Sequence, residues 1–218
     1  MKSSAIAAGV LAASVVWASA GRAAPPTPLE DLLARFRAMP GLEARFHEEK
    51  RFAMLDAPLV SEGTLHFAPP GRLARHTTTP VRSTVLIDGD RLAFGDERGQ
   101  SEIDLAQKPV VRLFVDAFVK LLAGDQAALE RLFAAEHTAL PDDAWTLVLL
   151  PKVSPMKGII ERLELRGAGL VLDRMRLLEV GGDETITTFS RVDVERRYTP
   201  EEAAQLFRLP VAPSSPGR

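Results

Sequence analysis

Ser61 to Phe94 reads SEGTLHFAPPGRLARHTTTPVRSTVLIDGDRLAF. Apolar and polar residues alternate along it. The runs break at Pro69-Pro70-Gly71, at Thr79-Pro80 and at Asp88-Gly89-Asp90. A period of two marks half-buried strands, and the breaks mark turns. The segment holds no nucleophile motif, no metal-binding cluster and no phosphate-binding loop. It describes a sheet with one apolar face.

The pattern extends both ways. Upstream, Leu29, Leu32, Leu33, Phe36 and Met39 have helical spacing, and Pro40-Gly41 ends that helix. Leu42, Ala44 and Phe46 then alternate with charged residues in a strand reaching towards Phe52. Downstream, Leu92–Phe94 and Ser101–Leu105 continue as strands. Pro109 to Ala123 (PVVRLFVDAFVKLLA) is apolar nearly all round, as in a helix buried on more than one side. Gly124 stops it, and Asp125 can cap a second helix through Phe133. Strands resume at Trp145–Leu150, Ile159–Arg166, Leu170–Val180 and Glu184–Ser190, with Val192–Tyr198 as an extension. A short helix from Pro200 to Leu206 closes the pattern. Short connections favour antiparallel hairpins. About ten or eleven strands in one sheet must curl or close to protect their edges.

The N-terminus speaks to location. Lys2 precedes an apolar run from Ala5 to Ala18, with small residues at Ala18 and Ala20. This predicts a secretory signal peptide over residues 1–20, cleaved after Ala20. The run is shorter than the roughly 20 residues of a spanning helix. A Pro-rich leader (21–28), one domain (29–210) and a flexible tail (211–218) are expected to follow. The chain has no cysteine, so neither a disulfide nor acylation of a cysteine is available to it. Removal of residues 1–20 leaves 26 basic against 29 acidic residues. That near-balance argues against a nucleic-acid partner.

In order and spacing the chain resembles the periplasmic outer-membrane lipoprotein carriers, the LolA-like family, as a divergent member. The resemblance rests on the short N-terminal helix and the Leu42-Glu43-Ala44-Arg45-Phe46 strand. It also rests on the Gly63-x-Leu65-x-Phe67 strand, the Pro69-Pro70 turn, the strand leading to Pro80 and the strand into Asp88-Gly89. A mid-chain helical pair and a Gly-rich C-terminal meander complete the set.

The resemblance implies an α+β, mainly β fold: an incomplete antiparallel barrel with lid helices over a concave apolar face. It implies a cavity for acyl chains lined by Phe46, Leu65, Phe67, Leu73, Leu86, Leu92, Phe94, Leu147 and Leu149. Leu33, Phe36, Phe114, Phe118 and Leu122 would belong to the lid. The implied role is a monomeric periplasmic carrier that moves a lipoprotein or other lipid from an inner-membrane exporter to an outer-membrane acceptor, with no cofactor or metal. A lipid-sensing or regulatory module of the same fold is the alternative. Two departures stand out. Well-studied members place an arginine before the turn proline, where Pro69 stands here. The aromatic usual in the next strand is replaced by Arg75.

An enzyme finds little support. The four histidines form no His-Glu-x-x-His, and the chain has no Gly-x-Ser-x-Gly elbow or P-loop. His47 and Glu49 share one strand face and read as solvated polar surface. Asp142-Asp143 follows Pro141 and reads as a turn. On the lid helix, Arg112, Asp116 and Lys120 have i,i+4 spacing and read as ordinary surface pairing.

Overall fold

A computed structural model of the chain describes residues 28–209. The segments read as signal peptide and tail, and all of the leader before Pro28, lie outside the described residues.

Eleven strands form one antiparallel sheet. They are β1 (Leu42–Arg51), β2 (Leu59–Ala68), β3 (Arg72–Thr79), β4 (Ser83–Asp88), β5 (Arg91–Asp96), β6 (Gly99–Asp104), β7 (Phe133–Ala139), β8 (Ala144–Pro151), β9 (Ile160–Ala168), β10 (Val171–Glu179) and β11 (Glu184–Asp193). Across the sheet they run β6-β5-β4-β3-β2-β1-β11-β10-β9-β8-β7. All neighbours but β1 and β11 are successive hairpin strands. The sheet stays open between β6 and β7, so it is an incomplete barrel.

Among the described residues four α-helices accompany it: α1 (Leu29–Ala38), α2 (Pro109–Leu122), α3 (Gln126–Leu132) and α4 (Pro200–Leu206). Helices α2 and α3 link the two open edges. Asp125 caps α3 through its side chain, which accepts from the Ala128 amide at 3.1 Å. Acidic Glu30 and Asp31 in the first turn of α1, and Arg35 and Arg37 in its last, complement the helix dipole.

Strand β7 is absent from the sequence reading. Its inward residues, Phe133, Ala135, His137 and Ala139, are mostly small or polar, and it follows α3 without a breaker. Large apolar alternation, the usual strand signal, is therefore missing.

The register sorts side chains into two faces, because directly paired residues point the same way. One inner row is Leu42, Phe67, Leu73, Ile87, Leu92 and Ile103. The next is Ala44, Leu65, Arg75, Val85, Phe94 and Ser101. On the other half, His137, Leu147, Leu165, Met175, Thr187, Glu48 and Ser61 make a third inner row.

Helix α1 lays Leu32, Leu33 and Phe36 onto the inner face. The Phe36 ring meets Trp145 edge-on at 6.1 Å. Val119, Leu121 and Leu122 of α2 are buried in the same core.

Candidate functional site

The inner face has a covered part and an open part. Phe67, Leu147 and Leu149 are wholly buried, and Phe46, Leu65 and Leu73 nearly so. They pack in one cluster with Leu33, Phe36 and Leu122 of the helices, against which Leu92 and Phe118 are partly buried. Towards β5 the cover ends. Along the second row, exposure rises from buried Leu65 through half-buried Arg75 and Val85 to Phe94, which is 37 % exposed.

The expected cavity residues thus divide three ways. Phe46, Leu65, Phe67, Leu73, Leu92, Leu147 and Leu149 lie on the inner face and pack in, or partly against, its core. Phe94 lies on the inner face in the open. Leu86 is a correction: it pairs with Ala74 and Ala93, between Ile87 and Val85, and so points to the outer face. There it is buried on the side of the sheet where α4 packs. Leu86 on the outer face and Ile87 on the inner face are both buried, so apolar residues follow one another in Val85-Leu86-Ile87 and alternation does not separate the faces. Of the expected lid residues, the side chain of Phe114 lies outside the described residues.

Alternation also places Trp145, Leu163, Leu165, Met175 and Phe189 on the inner face. All five belong to strands the sequence reading recognised, so strand parity could have found them.

A polar cluster interrupts the apolar floor. The Glu48 carboxylate accepts from Arg75 Nη2 at 2.8 Å, from Ser61 Oγ at 3.3 Å and from Thr187 Oγ1 at 3.1 Å. Arg75 Nη2 also donates to Ser61 Oγ at 3.1 Å. The Arg75 guanidinium lies 4.3 Å above the Phe46 ring, a cation–π contact. The Arg75 and Glu48 side chains are 29 % and 23 % exposed. His137, on the inner face of β7, has a buried Nε2 without a hydrogen-bond partner among the described residues, and burial pushes its pKa down.

The lid is tied at several points. Arg35 forms a bidentate pair with Asp143 at 3.0 and 2.8 Å. Arg37 Nη2 donates to the Gly124 carbonyl at 2.7 Å, joining α1 to the end of α2. Arg112 pairs with Asp90 in the β4–β5 turn. Lys120 lies 3.5 Å from Asp125. The side chain of Asp116, expected to join Arg112 and Lys120, lies outside the described residues.

The features weighed for catalysis sit elsewhere. Asp142 and Asp143 occupy a turn with φ of 59° and 57°, and Asp143 is engaged by Arg35. His47 is an outer-face residue whose Nδ1 lies 3.0 Å from Glu62. Among the described residues, no group of three or more His, Cys, Asp or Glu is placed to hold a metal ion. No helix among them is long and apolar enough to cross a membrane.

Residues 23–203 match the family model described as outer membrane lipoprotein carrier protein LolA-like. No curated protein matches. A solved LolA superfamily protein from Nitrosomonas europaea is similar at 9% identity and TM-score 0.43, over 81% of this chain and 97% of that one. The Pseudomonas aeruginosa MucA/MucB complex is similar at 14% identity and TM-score 0.49, over 79% of this chain and 59% of that chain. The Mycobacterium tuberculosis lipoprotein LppX is similar at 12% identity and TM-score 0.41, over 77% and 97%.

Proposed function

The chain belongs to the outer membrane lipoprotein carrier protein LolA-like family, and from that membership we propose that it is a periplasmic carrier. It binds acyl chains of a lipoprotein or another lipid against its inner face and ferries them from inner to outer membrane. Its role is binding and release, with no chemical step.

The observation that carries this reading is the uncovered apolar strip. Phe94 and Val85 stand on the same face as the fully buried core, yet the lid leaves them accessible. An exposed phenylalanine continuous with a core is a place where an acyl chain gains burial without unfolding anything.

Energetics shape the transfer. Burying one methylene gains about 0.8 kcal/mol, so an acyl chain of about fifteen methylenes represents roughly 12 kcal/mol. A free carrier does not extract such a chain from a bilayer unless its cavity matches the bilayer. An inner-membrane exporter therefore hands the cargo over, and an outer-membrane acceptor takes it.

Native mass spectrometry of protein purified from its own envelope tests the proposal. A bound species with the mass of a lipid or lipoprotein is expected. Protein that carries no lipid, and takes up neither a fluorescent fatty acid nor a lipopeptide, refutes it.

A further inference from the structure

We infer that Arg75, held by Glu48, is the headgroup subsite of the inner face, and that it takes the carbonyl oxygen of an ester- or amide-linked acyl chain. The inference rests on the lipid-binding reading and names the chemistry that site selects.

The first argument is placement. Arg75 sits in the inner cross-strand row between buried Leu65 and half-buried Val85, with exposed Phe94 next. The backbone of Arg75 therefore stands where the open apolar strip begins, and its guanidinium reaches from there over Phe46 towards Glu48 and Ser61 of β1 and β2. A chain lying along Phe94 and Val85 with its polar end towards β1 brings that end to the guanidinium.

The second argument is cost. An ion pair on an apolar floor loses solvation that its mutual attraction only partly returns. A hydrophobic residue at position 75 would fill the floor more simply. Three fixed contacts, with Glu48, Ser61 and the Phe46 ring, hold the arginine in one orientation.

The third argument is what is left over. Glu48 and Ser61 engage Nη2. Nη1 and Nε of Arg75 have no partner among the described residues, while the side chain stays partly exposed. A planar guanidinium fixed through one nitrogen presents its remaining N–H groups in a set direction. The ligand group that suits them is an acceptor oxygen.

Charge decides which acceptor. Glu48 neutralises Arg75, so an anionic headgroup attracted by the guanidinium is repelled by the carboxylate beside it. A neutral carbonyl gains the hydrogen bond without that penalty. The site accordingly does not require a charged lipid.

Three pyrene-labelled chains of equal length, ending in a carboxylate, a methyl ester and a plain methyl group, test this by fluorescence titration. The intact protein is expected to bind the ester about five-fold more tightly than the alkane, and at least as tightly as the acid. Arg75→Met is expected to remove the preference for the ester while keeping alkane binding. Glu48→Gln leaves the arginine unbalanced and is expected to turn the preference towards the acid. If Arg75→Met does not fold, Glu48→Gln and the intact protein decide alone. Equal binding of all three chains, or a preference that survives Arg75→Met, overturns the subsite and leaves the carrier reading standing. Failure of every chain to bind refutes the carrier reading itself, and the subsite falls with it.

Discussion

The rings of His66 and His76 meet edge to face on the outer side of the sheet, 5.5 Å apart at their centroids, where α4 packs. His76 Nε2 donates to the Leu206 carbonyl at 2.9 Å, and in the neutral ring Nδ1 then accepts from Thr84 Oγ1 at 3.1 Å. Tyr198 donates its hydroxyl to the Leu42 carbonyl at 2.6 Å and stands 3.3 Å from His66 Nδ1 as an acceptor. These contacts satisfy both nitrogens of each ring when it is neutral.

Burial pushes the pKa of both rings down. The nearby Glu43 carboxylate opposes this at His66, while His76 and Arg196 add to it. An unfolded histidine takes up a proton near pH 6.5, whereas these two resist it when folded. Their contribution to stability is therefore complete above that range and is lost as pH falls through about 6.5 and below. His47, raised by Glu62 and Glu49, acts in the opposite sense but is exposed and screened. The melting temperature is expected to drop between about pH 8 and pH 5. His76→Gln, which can keep both hydrogen bonds, is expected to flatten that slope. An unchanged slope in the variant sinks the assignment.

Phe67 and Phe94 share the inner face and differ in cover. Phe67 is wholly buried, so Phe67→Ala is expected to cost about 3–5 kcal/mol in denaturant unfolding. Phe94→Ala is expected to cost under about 1 kcal/mol and to weaken acyl-chain binding instead. Comparable destabilisation by both would mean that the open strip is ordinary core.

Much of this layout was legible in the chain. Hairpin order could be read because large apolar side chains alternate and Pro-Gly or Asp-Gly turns separate them. What could not be read depends on partners distant in sequence. The covering of the outer face by the α4 region, which buries Leu86, comes from residues more than a hundred positions away. The pairing of Glu48 with Arg75 needs a three-strand register. The depth of the lid over Phe67 compared with Phe94 depends on where α2 lies, which its own sequence does not state.

Gly63 sits in β2 where two backbones press together. A Cβ there would lie 1.9 Å from the His76 carbonyl oxygen and 2.9 Å from Phe46 Cε1. Neither is the free end of a flexible side chain. Gly63→Ala is expected to destabilise by about 2–3 kcal/mol and to disturb the ring beneath Arg75. Gly99→Ala, where nothing lies within 4 Å, is the control and is expected to be near neutral. Chemical denaturation of both variants gives the comparison, and a neutral Gly63→Ala would contradict the close approach.

The junction of the lid helices rests on Gly124. Its φ is +62°, and it ends α2 with its own amide donating to the Leu121 carbonyl and the Asp125 amide donating to Lys120, both at 2.9 Å. This double bond pattern is a Schellman motif, which favours glycine at its left-handed position. A Cβ here would also lie 2.1 Å from the Leu33 carbonyl oxygen and 2.7 Å from the Arg37 amide nitrogen. The same glycine therefore lets α1 dock and lets Arg37 reach its carbonyl. Gly124→Ala combines left-handed strain with a backbone clash, and roughly 2–4 kcal/mol of destabilisation is expected. The loss is expected to concentrate in the lid. Amide exchange of Leu32, Leu33 and Phe36 should accelerate more than that of β9 and β10, whose backbone pairs with neighbouring strands on both sides. Uniform acceleration across the sheet would mean that lid and barrel unfold as one unit, and that the lid has no independent motion with which to admit a chain.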